Sequence, residues 1–128
     1  MPHKILCVDD SAMVRKLLAR IFQAFDCEVF EAENGDVGLG RALEIAPDLI
    51  ILDHNMPVCD GLTMLTRARE HVALKRTPVI MLTAEAGAQL ISAAARLGVR
   101  DYITKPFQED DLVAKISRVI ALRPSPAP

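Results

Sequence analysis

Five short windows of the chain are dense in apolar and β-branched residues, and stretches of helical periodicity separate them from one end to the other. The windows are KILCV (4–8), CEVFEA (27–32), DLIIL (48–52), PVIML (78–82) and DYIT (101–104). Such residues fit a pleated, buried surface. The unbroken apolar run of DLIIL suits a strand covered on both faces rather than one with a wet side. Strands alternating with helices predict an α/β open sheet, in which right-handed crossovers place helices on both faces.

The intervening stretches have helical signals of their own. After Asp10, Ser11 is a good N-cap, and Met13, Val14, Leu17, Leu18, Ile21, Phe22 and Phe25 recur at helical spacing. Arg15, Lys16, Arg20 and Gln23 take the other face. A second helix, around residues 36–45, carries Gly38 and Gly40, each costing about 1 kcal/mol relative to alanine, and is expected to be the weakest. Pro47 stops it. Asp60-Gly61 opens a third helix, running to about His71. The fourth is Ala-rich, from about residue 87 to Leu97, with Gly98 as a left-handed cap. The last runs from about Glu109 to Leu122, with Leu112, Ile116, Val119 and Ile120 inward. Pro124, Pro126 and Pro128 mark an unstructured tail or the start of a linker. The expected organisation is one domain over residues 1–122 and a Pro-rich segment over 123–128.

Composition excludes several classes of function. With 128 residues and 51% apolar content, one domain can bury a proper core. A net charge of -2, with Lys and Arg spread along the chain, gives no nucleic-acid footprint. No apolar run approaches the roughly 20 residues of a membrane span. The three cysteines show no C-x-x-C spacing, and a reducing, cytoplasmic setting is expected. Cys7 and Cys27 read as small core residues. Cys59 falls in a loop, where a reactive thiol stays open.

Four of the five windows run directly into a residue with phosphoryl-transfer chemistry. Asp9-Asp10 follows the first, Asp53 the third, Thr83 the fourth and Lys105-Pro106 the fifth. In open α/β sheets ligands bind outside the carboxyl ends of the strands, at the point where strand order reverses. The first and third strands supply all three carboxylates and should therefore be neighbours there. Three carboxylates within a few ångströms would repel one another without a cation, and Mg²⁺ takes oxygen ligands of this kind. One carboxylate can then serve as nucleophile toward phosphorus, while Lys105 and the Thr83 hydroxyl bind phosphoryl oxygens.

From Lys4 to about Leu122 the chain resembles a response-regulator receiver domain, the phosphoacceptor module of two-component signalling. The matching pieces are VDDS (8–11), LDHNMPVCDG (52–61), LTA (82–84) and GVRDYITKPF (98–107), in the family's order and spacing. The resemblance implies a flavodoxin-like (βα)5 fold with strand order 2-1-3-4-5. It implies that Asp53 is phosphorylated, that Asp10 ligates Mg²⁺ directly with Asp9 assisting, and that the backbone carbonyl of Asn55 is a further ligand. Thr83 and Lys105 would contact the phosphoryl group, and Lys105-Pro106 would be a cis peptide. Thr83 and Tyr102 would act as the switch that remodels the face of helix 4, strand 5 and helix 5. The implied partners are a histidine kinase or histidine phosphotransfer domain and an unidentified downstream protein, with no direct nucleic-acid binding and no membrane insertion. The first helix, with exposed Arg15 and Met13, is the expected docking surface for the donor. Asn55 and Glu85 are expected to influence how water reaches the phosphate. His54 departs from the family, where this place is often apolar, and is expected to be exposed.

Two rival readings remain distinguishable. A haloacid-dehalogenase-like phosphatase also uses an Asp nucleophile and Mg²⁺, but needs a second acid two positions on, where this chain has Asn55. A receiver acting as a phosphorylation-independent scaffold would not need the complete acidic set. The chain is expected to be a switch rather than an enzyme, catalysing only its own phosphorylation and dephosphorylation.

Overall fold

The computed structural model describes residues 2–84 and 87–125. Five strands, β1 (His3–Val8), β2 (Cys27–Ala32), β3 (Leu49–Asp53), β4 (Val79–Thr83) and β5 (Asp101–Thr104), form one parallel sheet in the order β2-β1-β3-β4-β5. The helices between and after them are α1 (Ala12–Phe22), α2 (Gly35–Ile45), α3 (Gly61–Ala68), α4 (Ala88–Arg96) and α5 (Glu109–Ser117). This is the doubly wound arrangement expected, with strand order reversing between β1 and β3.

Alternation along the strands divides the core in two, because successive side chains leave a strand on opposite faces. Ile5, Cys7, Leu49, Ile51, Ile80, Leu82 and Ile103 meet Leu18, Ile21 and Phe22 of α1 and Leu112 and Ile116 of α5. Leu6, Val8, Ile50, Leu52, Val79 and Met81 meet Ala42 of α2, Met64, Leu65 and Ala68 of α3 and Ala94 of α4. Burying each large side chain stabilises the fold by about 1.5–3 kcal/mol, so β3 and β4 are apolar on both faces up to Leu52 and Leu82, before the polar residues that end them.

The helix caps match the residue types that supply them. Ser11 Oγ accepts from Val14 N–H (3.2 Å), Asn34 from Val37 N–H (3.0 Å) and Asp60 from Thr63 N–H (2.8 Å). At the end of α4, Gly98 takes φ +79, while its N–H donates to Ala95 O and that of Val99 to Ala94 O. That pair of bonds satisfies two carbonyls the helix would otherwise leave open.

Several boundaries differ from the expectation. α3 stops at Ala68 rather than near His71, and a 3₁₀ turn, Val72–Leu74, follows. The Arg69 guanidinium lies behind the change, donating to the carbonyls of Leu74, Thr77 and Leu97 at 2.8 Å each. α5 ends at Ser117, although Ile120 beyond it remains buried. In α1, Met13 is 80% exposed and Leu17 40%, so the buried stripe is narrower than the spacing implied. Residues 123–125, expected as unstructured, pair with the α1–β2 turn. Asp26 N–H donates to Arg123 O (2.7 Å) and Ser125 N–H to Ala24 O (2.9 Å). Pro126 and Pro128 lie outside the described residues. No helix among the described residues is long and apolar enough to cross a membrane.

Candidate functional site: the acidic edge of the sheet

Strand register brings the acidic residues together. Val8 pairs with Leu52, so Asp9, the next residue after Val8, comes level with Asp53 at the end of β3. Thr83 pairs with Thr104, and Lys105 follows at once, its N–H donating to Thr83 O (2.8 Å). The Lys105–Pro106 peptide bond is cis. Asp9, Asp53 and Thr83 are buried, whereas Asp10 is exposed.

One carboxylate oxygen from each of Asp9, Asp10 and Asp53 lies within 4.8 Å of the others. Lys105 Nζ stands between two of these groups, 2.8 Å from Asp9 Oδ2 and 3.2 Å from Asp53 Oδ1. Burial, then the charge of Asp9, pushes the Asp53 carboxyl up to about 6, against the opposing pull of Lys105. Burial works against the Lys105 charge, but its bonds and charge contacts with Asp9 and Asp53 outweigh that and raise its pKa. Three carboxylates facing one ammonium leave an excess of negative charge at close range. Their donor atoms are hard oxygens, and exposed Asp10 leaves room for ligated water. That set fits Mg²⁺, which keeps several waters and binds through one or two carboxylates.

Asn55 stands exposed two residues beyond Asp53. With His54, Thr83, Gly87 and Leu90 it lines a cavity of about 200 Å³ beside the acidic cluster. Tyr102 is half-buried on β5. Its hydroxyl donates to Ile91 O on α4 (2.9 Å), and its main-chain carbonyl accepts from Lys115 Nζ on α5 (2.8 Å). Glu85 lies outside the described residues.

Two expectations fail here. His54 is half-buried rather than exposed, and its Nδ1 is shielded with no hydrogen-bond partner among the described residues. Its backbone is held against the sheet edge, donating to Leu82 O (3.0 Å) and accepting from Gly61 N–H (3.0 Å). Arg15 is half-buried rather than exposed: its side chain is 16% exposed and folds back onto Glu31 and the Asp9 carbonyl. Cys59, for which a reactive thiol had stayed open, is buried, and burial followed by the charge of Asp36 raises its thiol pKa. Sequence reasoning also missed the support around Asp9, where Ser11 N–H and Arg15 both bond to it. The signal was Glu31, but it becomes legible only once β2 is known to lie against β1.

The family model for the response regulator receiver domain matches residues 5–117. The chain is 37% identical to the regulatory protein AtoC of Escherichia coli over 94% of its own length, but spans only 26% of that protein. It is 36% identical to the chemotaxis protein CheY of Bacillus subtilis, covering 94% of this chain and 99% of that one. Among solved structures, CheY4 of Vibrio cholerae superimposes with a TM-score of 0.89 at 32% identity, covering 94% of this chain and 100% of its own. CheY in a CheX–CheY–BeF3–Mg²⁺ complex from Borrelia burgdorferi gives a TM-score of 0.87 at 28% identity, covering 93% and 90%. The chain therefore belongs to the response regulator receiver domains, the phosphorylation-dependent switches of two-component signalling, which bind Mg²⁺ at an acidic pocket such as this one.

Proposed function

We propose that this chain accepts a phosphoryl group on Asp53, from a histidine kinase or a histidine phosphotransfer domain, and uses it to change a protein-binding face. The observation that carries the reading is the Asp53 carboxylate at the sheet edge, buried, level with Asp9 and 3.2 Å from Lys105 Nζ. In the transfer an Asp53 oxygen bonds to phosphorus as the donor's bond to phosphorus breaks, and the leaving group departs with that electron pair. Asp53 must be ionised to attack. Lys105 is placed to bind a phosphoryl oxygen and stabilise charge that develops during transfer, and Thr83 ends the neighbouring strand on the same side. Asp9 and Asp10 would hold Mg²⁺ with Asp53 and the Asn55 carbonyl. The ion, when bound, neutralises phosphoryl charge.

The readout belongs to α4, β5 and α5. Tyr102 already bonds to both helices, so a shift at Thr83, the end of the strand paired with β5, biases that packing toward a second arrangement. In this reading the chain is a switch whose chemistry is confined to its own acyl phosphate.

The test is intact mass after incubation with acetyl phosphate, with and without Mg²⁺, for wild type and Asp53→Asn. One added phosphoryl group, requiring Mg²⁺ and absent from Asp53→Asn, is the expected result. A stoichiometric adduct on Asp53→Asn would overturn the acceptor assignment, and steady phosphate release without an adduct would favour a phosphatase.

A further inference from the structure

Every polar group of Asp9 is engaged. Its N–H donates to Ala32 O (3.0 Å), its Oδ1 accepts from Ser11 N–H (2.9 Å), and its Oδ2 accepts from Lys105 Nζ (2.8 Å). Its main-chain carbonyl accepts from Arg15 Nη1 at 2.5 Å. That carbonyl belongs to the peptide joining Asp9 to Asp10. Arg15 is anchored at the other end of its fork, where Nε donates to Glu31 Oε1 (3.0 Å) near the end of β2. The guanidinium thus braces the β1–α1 turn against the edge strand. Asp10 lies at the exposed end of this turn, so the direction of its carboxylate depends on the plane of the peptide before it.

We propose that Arg15 is a positioning residue for the acidic cluster: by holding the Asp9 carbonyl from its anchor on Glu31, it aims the Asp10 carboxylate toward Asp53 and so raises the cluster's affinity for a divalent cation. This rests on the Mg²⁺ reading above. The charge of Arg15 acts in the opposite sense, because a fixed cation near the cluster repels an incoming one. Geometry and charge are therefore separable by substitution. Arg15→Lys keeps the charge but lacks the planar fork that reaches a carbonyl and a carboxylate at once.

The experiment is a calorimetric Mg²⁺ titration of the full chain as wild type, Arg15→Lys, Arg15→Ala and Glu31→Ala, with a thermal melt of each. Arg15→Lys is expected to raise the Mg²⁺ dissociation constant about tenfold, as loss of ligand-orienting contacts does elsewhere. Glu31→Ala, at an exposed site, is expected to move it less and in the same direction, with a cooperative melt retained. A merely structural arginine would lower the melting temperature and leave Mg²⁺ binding by the folded protein alone. Arg15→Lys binding within about twofold of wild type would overturn the proposal, whereas Arg15→Ala, which also loses the repelling charge, should weaken binding less than Arg15→Lys. If Arg15→Lys does not fold, unchanged affinity in Glu31→Ala overturns it instead. Wild type failing to bind Mg²⁺ would refute the metal reading itself, a different result.

Discussion

Lys105 Nζ lies 2.8 Å from Asp9 Oδ2, closer than the 3.2 Å that separates it from Asp53 Oδ1. Asp9 is essentially closed to water, and Lys105 keeps only about a fifth of its side chain exposed. Among the described residues the lysine is thus the main counter-charge that the chain itself supplies to a crowded acidic edge. Before any phosphoryl group arrives it has a structural task.

Removing that charge leaves buried carboxylates without compensation, which is strongly destabilising. Lys105→Met is expected to lower stability in EDTA by roughly 2 kcal/mol, less than for a fully buried pair because water reaches the lysine. Millimolar Mg²⁺ should recover most of the loss, since a divalent cation replaces the ammonium. Paired melts in EDTA and Mg²⁺ decide it; a loss insensitive to Mg²⁺ would mean that Lys105 contributes packing rather than charge.

The raised pKa of Asp53 has a definite sign in stability. In the fold its carboxyl holds a proton up to about pH 6, whereas an unfolded chain releases it near pH 4. Between those values the folded state binds more protons, so metal-free stability falls as pH rises through the window. The measurement is the difference in melting temperature between wild type and Asp53→Asn from pH 4 to pH 7, which cancels other titrating groups. Wild type should lose stability relative to the variant as pH increases. Mg²⁺ competes with the same proton, so its affinity should drop as pH is lowered through about 6. A difference that stays flat would show that Asp53 ionises normally.

The two helix-2 glycines separate propensity from packing. A Cβ on Gly38 would meet Val8 Cγ1 at 2.9 Å and Met64 Sδ at 3.1 Å, whereas one on Gly40 would meet nothing within 4 Å. Gly40→Ala should therefore add the full helix-propensity gain of about 1 kcal/mol. Gly38→Ala should destabilise, because Val8, held between β2 and β3 at the end of β1, cannot withdraw. Denaturant unfolding of both variants checks this, and equal gains would mean α2 stands further from β1 than it does here.

What was legible in the sequence was whatever depends on local pattern and order along the chain. The apolar runs located β3 and β4, Ser11 and Asp60 marked helix starts, and the residues after Val8, Leu52, Leu82 and Thr104 formed the acidic edge once the strands lay parallel. What was not legible depends on neighbours distant in sequence. Arg69 ends α3 early by reaching carbonyls on three other segments. Arg15 looked like a solvated helix residue because Glu31 is 16 positions away. The Gly38 cost looked like weakness until Val8 and Met64 came within contact of it. His54 looked like an exposed loop residue because nothing local reveals that its backbone bonds to Leu82 and Gly61.

The loop after Asp53 contains strain that side-chain contact does not offset. Val58 has φ 69, and Cys59 N–H donates to Pro57 O at 2.7 Å, closing a three-residue γ-turn about it. Its side chain is 81% exposed, so little packing is lost by changing it. A γ-turn of positive φ is strained for any L-residue, and a β-branched one sits at positive φ less readily still. Glycine would relieve this but also loosen the unfolded chain. Asparagine is found at positive φ several-fold more often than other non-glycine residues, and without glycine's added freedom. Val58→Asn is therefore expected to stabilise the protein by roughly 1 kcal/mol, a rise of about 3–5 °C in melting temperature for a domain of this size. Val58→Ala, which removes the branching but keeps a Cβ, should fall between the two. Mg²⁺ affinity should be unchanged, since the turn itself is retained. If Val58→Asn melts below wild type, the valine side chain is packed rather than strained, and the turn does not cost the fold what its φ implies.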